Sequence, residues 1–311
     1  MDRNEQEVSD PASAGTDARS APGAAVRLDA VVRKQGAFTL GPLDMAVPSG
    51  LVTGFVGPNG AGKTTAIKAM LGMVDVESGS IRVLGAAPGA RHDRIGVVMD
   101  AVALPPEWTA TAAARNLGRF YPDWDQILFK DLLRRLDVPS GVRVKDLSRG
   151  QSVKLQLALA LAHRPELLIL DEPTSGLDPV MERRFVETIH EVSDEGRTVL
   201  LSSHILSEVE ALCHRVTIIR EGRAVITDSL ATLRSRATVT ITARLRHRLN
   251  TELLPATVIP DDDPLRLHLT CSPGDVVATV AAVAAENPTC LTVTPASLDD
   301  LFWRHYDGSV R

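Results

Sequence analysis

From Val26 onward, short apolar runs alternate with longer amphipathic stretches, the order expected of an α/β chain built around a mainly parallel sheet. Residues 52–56, 95–99, 167–170 and 198–202 read as strands. The last two are continuously apolar, as strands covered on both faces should be. Residues 63–73 read as the helix that follows the first strand, and residues 104 to about 162 as mostly helical. Within that stretch, Val153, Leu157 and Leu161 predict one apolar stripe along a helix over 151–162. Residues 215–226 read as a hairpin turning at Glu221-Gly222. Beyond about residue 235 the pattern changes. Residues 265–269 alternate with period two, a half-buried strand, and 275–286 form an Ala/Val-rich helix. Ser297-Leu298-Asp299-Asp300 reads as a capping box opening a last helix over 298–306. Residues 1–24 carry too little apolar surface to offset the entropy of ordering and are expected to be disordered. The predicted organisation is therefore a tail (1–24), an α/β domain (25–234) with a helical subdomain at about 104–165, and a small α+β appendage (237–311).

Composition narrows the function. Aromatic residues are few, so aliphatic side chains and alanine must fill the core. The net charge is −5 and no basic stripe is visible, which argues against a nucleic-acid partner. Cys213, Cys271 and Cys290 are odd in number and lack metal-ligand spacing, which fits a reducing cytosol rather than a disulfide framework. No apolar run approaches the roughly 18 residues needed to cross a bilayer, and the first 25 residues are too polar for a secretory leader. Any membrane process this chain serves would need a separate membrane protein.

The chemistry is concentrated in a few segments. Gly57-Pro58-Asn59-Gly60-Ala61-Gly62-Lys63-Thr64-Thr65 matches G-x-x-x-x-G-K-[ST], preceded by a strand and followed by a helix as that motif requires. Glycines let the backbone close around phosphate with its N–H groups turned inward. The helix start adds its positive dipole end, Lys63 a cation for the β- and γ-phosphates, and Thr64 a hydroxyl for Mg²⁺. About 110 residues later an apolar strand ends in Asp171-Glu172. Asp171 is a candidate Mg²⁺ ligand and Glu172 a candidate base for an attacking water.

Leu147-Ser148-Arg149-Gly150-Gln151 resembles the ABC signature LSGGQ, with arginine in place of the first glycine. Asp171-Glu172-Pro173-Thr174, then Ser175-Gly176-Leu177-Asp178, similar to the D-loop, and His204, similar to the H-loop histidine, follow in the order of an ABC nucleotide-binding domain. Ser297–Phe302 also resembles a C-terminal segment common in ABC-2-type exporters. The resemblance implies ATP and Mg²⁺ as ligands, catalysis by Lys63, Glu172 and His204, and a head-to-tail dimer with a second copy or a related ATPase chain. In that dimer the signature residues Ser148, Gly150 and Gln151 serve the opposite chain's nucleotide, and Asp178 of the D-loop is a further nucleotide-binding residue. It further implies a separate transmembrane permease, export, and a place on the cytoplasmic face of the membrane. The alternatives are a non-transport ABC ATPase, an importer subunit, and a binding module without activity.

Two further positions depart from the family pattern. Gln35 stands near the usual adenine-stacking aromatic, leaving Phe38 as either a substitute or a core strand residue. Asp100 stands where the Q-loop glutamine is usual, and reads either as a third metal ligand or as a solvated turn residue. Trp108, Tyr121 and Trp124 fall in the region that touches the membrane partner in relatives, and read as core or as contact. His163, His190 and His214 show no ligand spacing.

Overall fold

In the computed structural model, residues 23–100, 104–247, 249–251, 254–263 and 265–295 are described. Residues 1–22 of the expected tail (1–24) and the last capping box and helix (297–306) lie outside them; the end of that tail is corrected, because Ala24 already pairs with Pro48 in the first strand.

Side chains alternate across a strand, so a sheet buried on both faces divides each apolar run between two cores. Strand β3 (Val52–Val56) sends Val52 and Val56 into one core and Phe55 into the other. Strand β6 (Leu167–Asp171) divides the same way, Leu168 and Leu170 against Leu167 and Ile169. So does β7 (Thr198–Ser203), with Val199 and Leu201 against Leu200. With β5 (Ile95–Val98), β8 (Arg215–Arg220) and β9 (Arg223–Ser229) these strands form a six-stranded sheet in the order β5-β6-β7-β3-β8-β9. It is parallel except for β9, which returns antiparallel to β8 through the turn at Glu221-Gly222. A three-stranded antiparallel sheet, β1 (Ala24–Gln35), β2 (Phe38–Pro48) and β4 (Ser78–Val83), closes the second core together with helix α1 (Lys63–Met70).

Between β5 and β6 lie α2 (Ala110–Leu117), α3 (Gln126–Arg135) and α4 (Arg149–Leu161). Helix is thus interrupted more often than the sequence pattern suggests, with single 3₁₀ turns at Gly118–Phe120 and Val144–Asp146. The single stripe expected on α4 is corrected: every residue from Ser152 to Leu161 is buried. The helix packs at once against α2, α3 and β5, so it has no solvent face for polar residues to mark. Its buried Lys154 is held near the Asp137 carbonyl and the Met181 sulfur, and desolvation lowers its pKa. Helices α5 (Pro179–Asp194), α6 (Leu206–Leu212) and α7 (Leu230–Arg236) complete the main body.

Residues 239–294 build a four-stranded antiparallel sheet in the order β11-β12-β10-β13, from β10 (Val239–Arg244), β11 (Thr257–Ile259), β12 (Arg266–Cys271) and β13 (Cys290–Thr294). Helix α8 (Val276–Ala285) covers it, and Ile241, Leu269 and Val283 centre a third hydrophobic cluster of its own.

Phe129 on α3 is fully buried, and its ring lies 5.6 Å from that of Trp124. Phe129→Ala should lower the stability of the helical segment by about 3–5 kcal/mol. A urea titration followed by tryptophan fluorescence should show an earlier transition.

Candidate functional site

The Gly-rich loop leaves β3 and enters α1 through Gly62, whose φ of 108° lies in the left-handed region. A Cβ there would meet Leu40 and Phe38 at 2.9 Å, and one at Gly57 would meet the Ile219 carbonyl oxygen at 2.4 Å. Glycine is required at both places, by backbone conformation at one and by close approach of β8 at the other. The first N–H groups of α1, like those of any helix, have no intrahelical acceptor, and no side chain caps them. Pro58, Asn59, Gly60, Gly62, Lys63, Thr64, Thr65, Phe38 and Glu172 line one cavity of about 320 Å³ beside this helix start. Ala61 is buried beneath it. Phe38 is thus both a neighbour of the core and part of the loop's cavity wall.

The charged groups meet at the strand ends. The buried Lys63 donates from Nζ to the carbonyls of Gly57 (2.6 Å) and Pro58 (3.2 Å) and pairs with Glu172 Oε1 at 3.1 Å. The other Glu172 oxygen, Oε2, lies 2.9 Å from His204 Nδ1. Glu172 has φ 49°, an uncommon conformation for a side chain with a Cβ. Its N–H donates to the carbonyl and hydroxyl oxygens of Ser202. Asp171 is buried and accepts from Ser202 Oγ at 2.6 Å through one oxygen and from Thr64 Oγ1 at 2.8 Å through the other. Oxygen donors from a threonine and a carboxylate, held side by side, suit a hard cation such as Mg²⁺.

Two further residues at the site, Ser202 and Glu208, belong to none of the sequence motifs. Ser202 ties Asp171 and the Glu172 backbone to β7. Glu208 is buried and accepts from Thr174 and from Ser203 Oγ (2.7 Å), bracing the loop after Glu172. The available signal was two serines ending a strand that is otherwise apolar.

Ser148 caps α4 in a full capping box: its hydroxyl accepts from the Gln151 N–H, and the Gln151 side chain accepts from the Ser148 N–H. Gly150 occupies the first turn, beside the carbonyl of Gly176. Asp178 caps α5, accepting from Val180 and Met181 at 3.0 Å. Asp100 does not join Thr64 and Asp171. Its carboxylate pairs with Arg149 Nη2 at 2.6 Å, so the arrangement offers it to a guanidinium rather than to a metal.

An apolar cleft of about 410 Å³ opens between α4, β5 and the helical segment, lined among others by Met73, Met99, Leu117, Tyr121, Trp124 and His163. His163 is buried and stacks on Tyr121 with ring centroids 4.0 Å apart. Neither of its ring nitrogens forms a hydrogen bond within ordinary geometry, and burial lowers its pKa below the usual 6.5. Gln156, also on the wall, pairs with both the N–H and the carbonyl of Met99.

A phosphate-sized loop between a parallel strand and a helix, facing an acid pair on a strand two places away with β7 between, defines a P-loop NTPase. Residues 40–175 match the family model described as ABC transporter. The chain is 36% identical over 214 residues to "Nod factor export ATP-binding protein I" of Paraburkholderia xenovorans, covering 66% of this chain and 70% of that protein. It is 38% identical over 216 residues to the protein of the same name in Neorhizobium galegae, covering 66% and 62%. The chain belongs to the ABC transporter family, as an ATP-binding, ATP-hydrolysing subunit. A solved ATP-binding subunit of an ABC transporter superposes with a TM-score of 0.62 at 25% identity, over 67% of this chain and 91% of that one. A dimeric ATP-binding cassette bound to ADP and Pi shares the fold, with a TM-score of 0.59 at 20% identity, over 66% and 98%. Among the described residues, no helix is long and apolar enough to cross a membrane.

Gly57→Ala should lower ATP affinity more than tenfold, because either the loop or β8 must shift. Gly141→Ala, where a Cβ meets nothing within 4 Å, is the control. Titration of a fluorescent ATP analogue checks both.

The unfolded His163 imidazole takes up a proton near 6.5 and the folded one only at lower pH, so acid favours unfolding across that window. His163→Phe should flatten the loss of thermal stability between pH 7 and 5 relative to the parent.

Proposed function

We propose that this chain powers an exporter: it binds ATP in the Gly57–Thr65 loop, dimerises around it, hydrolyses it, and passes the resulting motion to a separate membrane permease. The observation that carries this reading is the meeting of Lys63, Glu172 and His204 beside the Thr64–Asp171 pair. The names of the export ATP-binding relatives support the direction of transport.

In this reading the loop N–H groups and Lys63 hold the ATP phosphates, and the nucleotide draws Lys63 from Glu172 toward the phosphate oxygens. Phe38, on the cavity wall, would meet the adenine. Thr64 and Asp171 hold Mg²⁺, which when bound would neutralise charge on the β- and γ-phosphates. Glu172, steadied by His204, accepts a proton from the attacking water. Its left-handed backbone conformation aims the carboxylate away from the strand and toward Lys63. Ser148, Gly150 and Gln151 present the start of α4 to the terminal phosphate on the partner copy, and Asp178 lies at that same interface. A second copy of this chain or a related ATPase supplies the reciprocal half.

The permease would seat an apolar segment in the cleft beside Tyr121 and Trp124, flanked by the exposed side chains of Met73 and Phe120. That contact would bring the chain to the cytoplasmic face of the membrane. Residues 237–311 form an accessory domain, a reading supported by the separate core of its sheet.

Glu172→Gln should keep ATP binding, lower turnover at least a hundredfold, and accumulate a dimer on size exclusion in Mg-ATP but not in Mg-ADP. Parent-like turnover would remove Glu172 from the mechanism, and a monomer in Mg-ATP would remove the dimer.

A further inference from the structure

Arg149 joins three segments that lie far apart in sequence. Its Nη2 donates to Asp100 Oδ1 (2.6 Å), just past the end of β5, and to Ser175 Oγ (3.1 Å), in the loop after Glu172. Its aliphatic stem lies over Gly176, where an added Cβ would be 3.4 Å from Arg149 Cδ. Among the described residues Nε and Nη1 make no hydrogen bond. Both charged side chains of the Asp100–Arg149 pair are 59% exposed, so the pair is screened by water and opens readily. Arg149 is also the first residue of α4, adjoining the free N–H groups of the helix start. Two of the positions that depart from the family pattern, Asp100 and Arg149, are therefore one ion pair.

A guanidinium beside a helix N-terminus is a stronger phosphate ligand than the helix end alone, because it adds full charge and a two-pronged donor. A carboxylate is the weaker competitor for it when a multiply charged phosphate arrives. We propose that Arg149 is a second phosphate-binding group on the start of α4. Asp100 and Ser175 hold it in reserve, and it passes to the terminal phosphate of the ATP bound by the partner copy. This rests on the dimer reading above. Asp100 is then a positioning residue: it keeps Arg149 near the interface and neutralised until the second nucleotide-loaded loop closes on it. The exchange also frees Ser175, releasing the loop that follows Glu172 as the dimer forms. ADP lacks the group that wins the exchange, so the pair would discriminate between the two nucleotides.

The test uses the full chain carrying Glu172→Gln, with the dimer fraction followed by analytical ultracentrifugation against ATP concentration. Nucleotide affinity of the single chain is measured separately at low protein concentration. Arg149→Ala should raise the ATP concentration for half-maximal dimerisation at least tenfold with little change in single-chain affinity, and Arg149→Lys should recover part of the loss. Asp100→Asn should lower that concentration severalfold, and should do nothing further when combined with Arg149→Ala. Arg149→Gln keeps bulk and hydrogen bonding without charge, and carries the test should the alanine variant fold poorly. Dimerisation within twofold of the parent for an uncharged residue at 149 overturns the proposal, as does an Asp100→Asn effect of equal size with and without Arg149. A Glu172→Gln parent that stays monomeric in ATP overturns the dimer reading and this exchange together. A parent that dimerises beside an unaffected Arg149 variant overturns the exchange alone.

Discussion

Strands β3, β6 and β7 run parallel and end in register: Val56 pairs with Ser203 and Asp171 with Ser202. Everything at the site follows from that alignment. The residue after Val56 begins the phosphate loop, the residue after Asp171 is Glu172, and the residue after Ser203 is His204. Three separate apolar runs thus deliver a cation, a carboxylate and an imidazole to one edge of one sheet. Ligands of open parallel sheets gather at the carboxyl ends of the strands for this reason. A slip of one residue in β6 would turn Asp171 away from Thr64 and exchange the two cores' side chains along the strand. The division of Leu167–Leu170 between two cores is therefore part of the site's precision.

The same edge gathers charge. Lys63, Glu172 and Asp171 lie close together in partly buried surroundings, where unpaired charge is costly. Each is answered locally: Lys63 by two loop carbonyls and Glu172, Asp171 by the hydroxyls of Ser202 and Thr64. Polyphosphate would offer Lys63 a better partner, and Glu172 would then be left to His204 and to water. The Lys63–Glu172 pairing would thus keep Glu172 engaged until a substrate's charge replaced it. Glu208, buried and satisfied by Thr174 and Ser203, braces the loop after Glu172 independently of those pairings.

Much of this was legible in the sequence. The phosphate loop announces itself through glycine spacing, and the buried strands through unbroken apolar runs, because local rules govern both. What escaped depends on contacts between distant segments. Helix α4 hid its environment because ten consecutive buried residues, Gln156 and Lys154 among them, have no period to detect. Ser202 looked like an ordinary strand end until β6 was laid beside it. Asp100 and Arg149 stood out separately, and a carboxylate beside an expected metal site suggested a ligand. Only the fold, which carries the start of α4 past the end of β5, shows that they answer each other.

That pairing also bears on how the apolar cleft would be coupled to a bound nucleotide. Gln156 grips the Met99 backbone at both its N–H and its carbonyl, and Gln156 and Met99 both line the cleft. The next residue is Asp100, which holds Arg149, at the start of the same helix that carries Gln156. A segment seated in the cleft would therefore press on a short loop of contacts: Met99, Asp100, Arg149 and α4 back to Gln156. Adjacency alone transmits nothing, since coupling requires an element with two arrangements that both ends can bias. Within this loop the Gln156 clamp is buried and doubly bonded, whereas the Asp100–Arg149 pair is exposed and singly bonded through Nη2. The clamp is the rigid member and the ion pair the one that can change partners, so a displacement of Met99 would be expressed at Arg149 rather than absorbed beside Gln156.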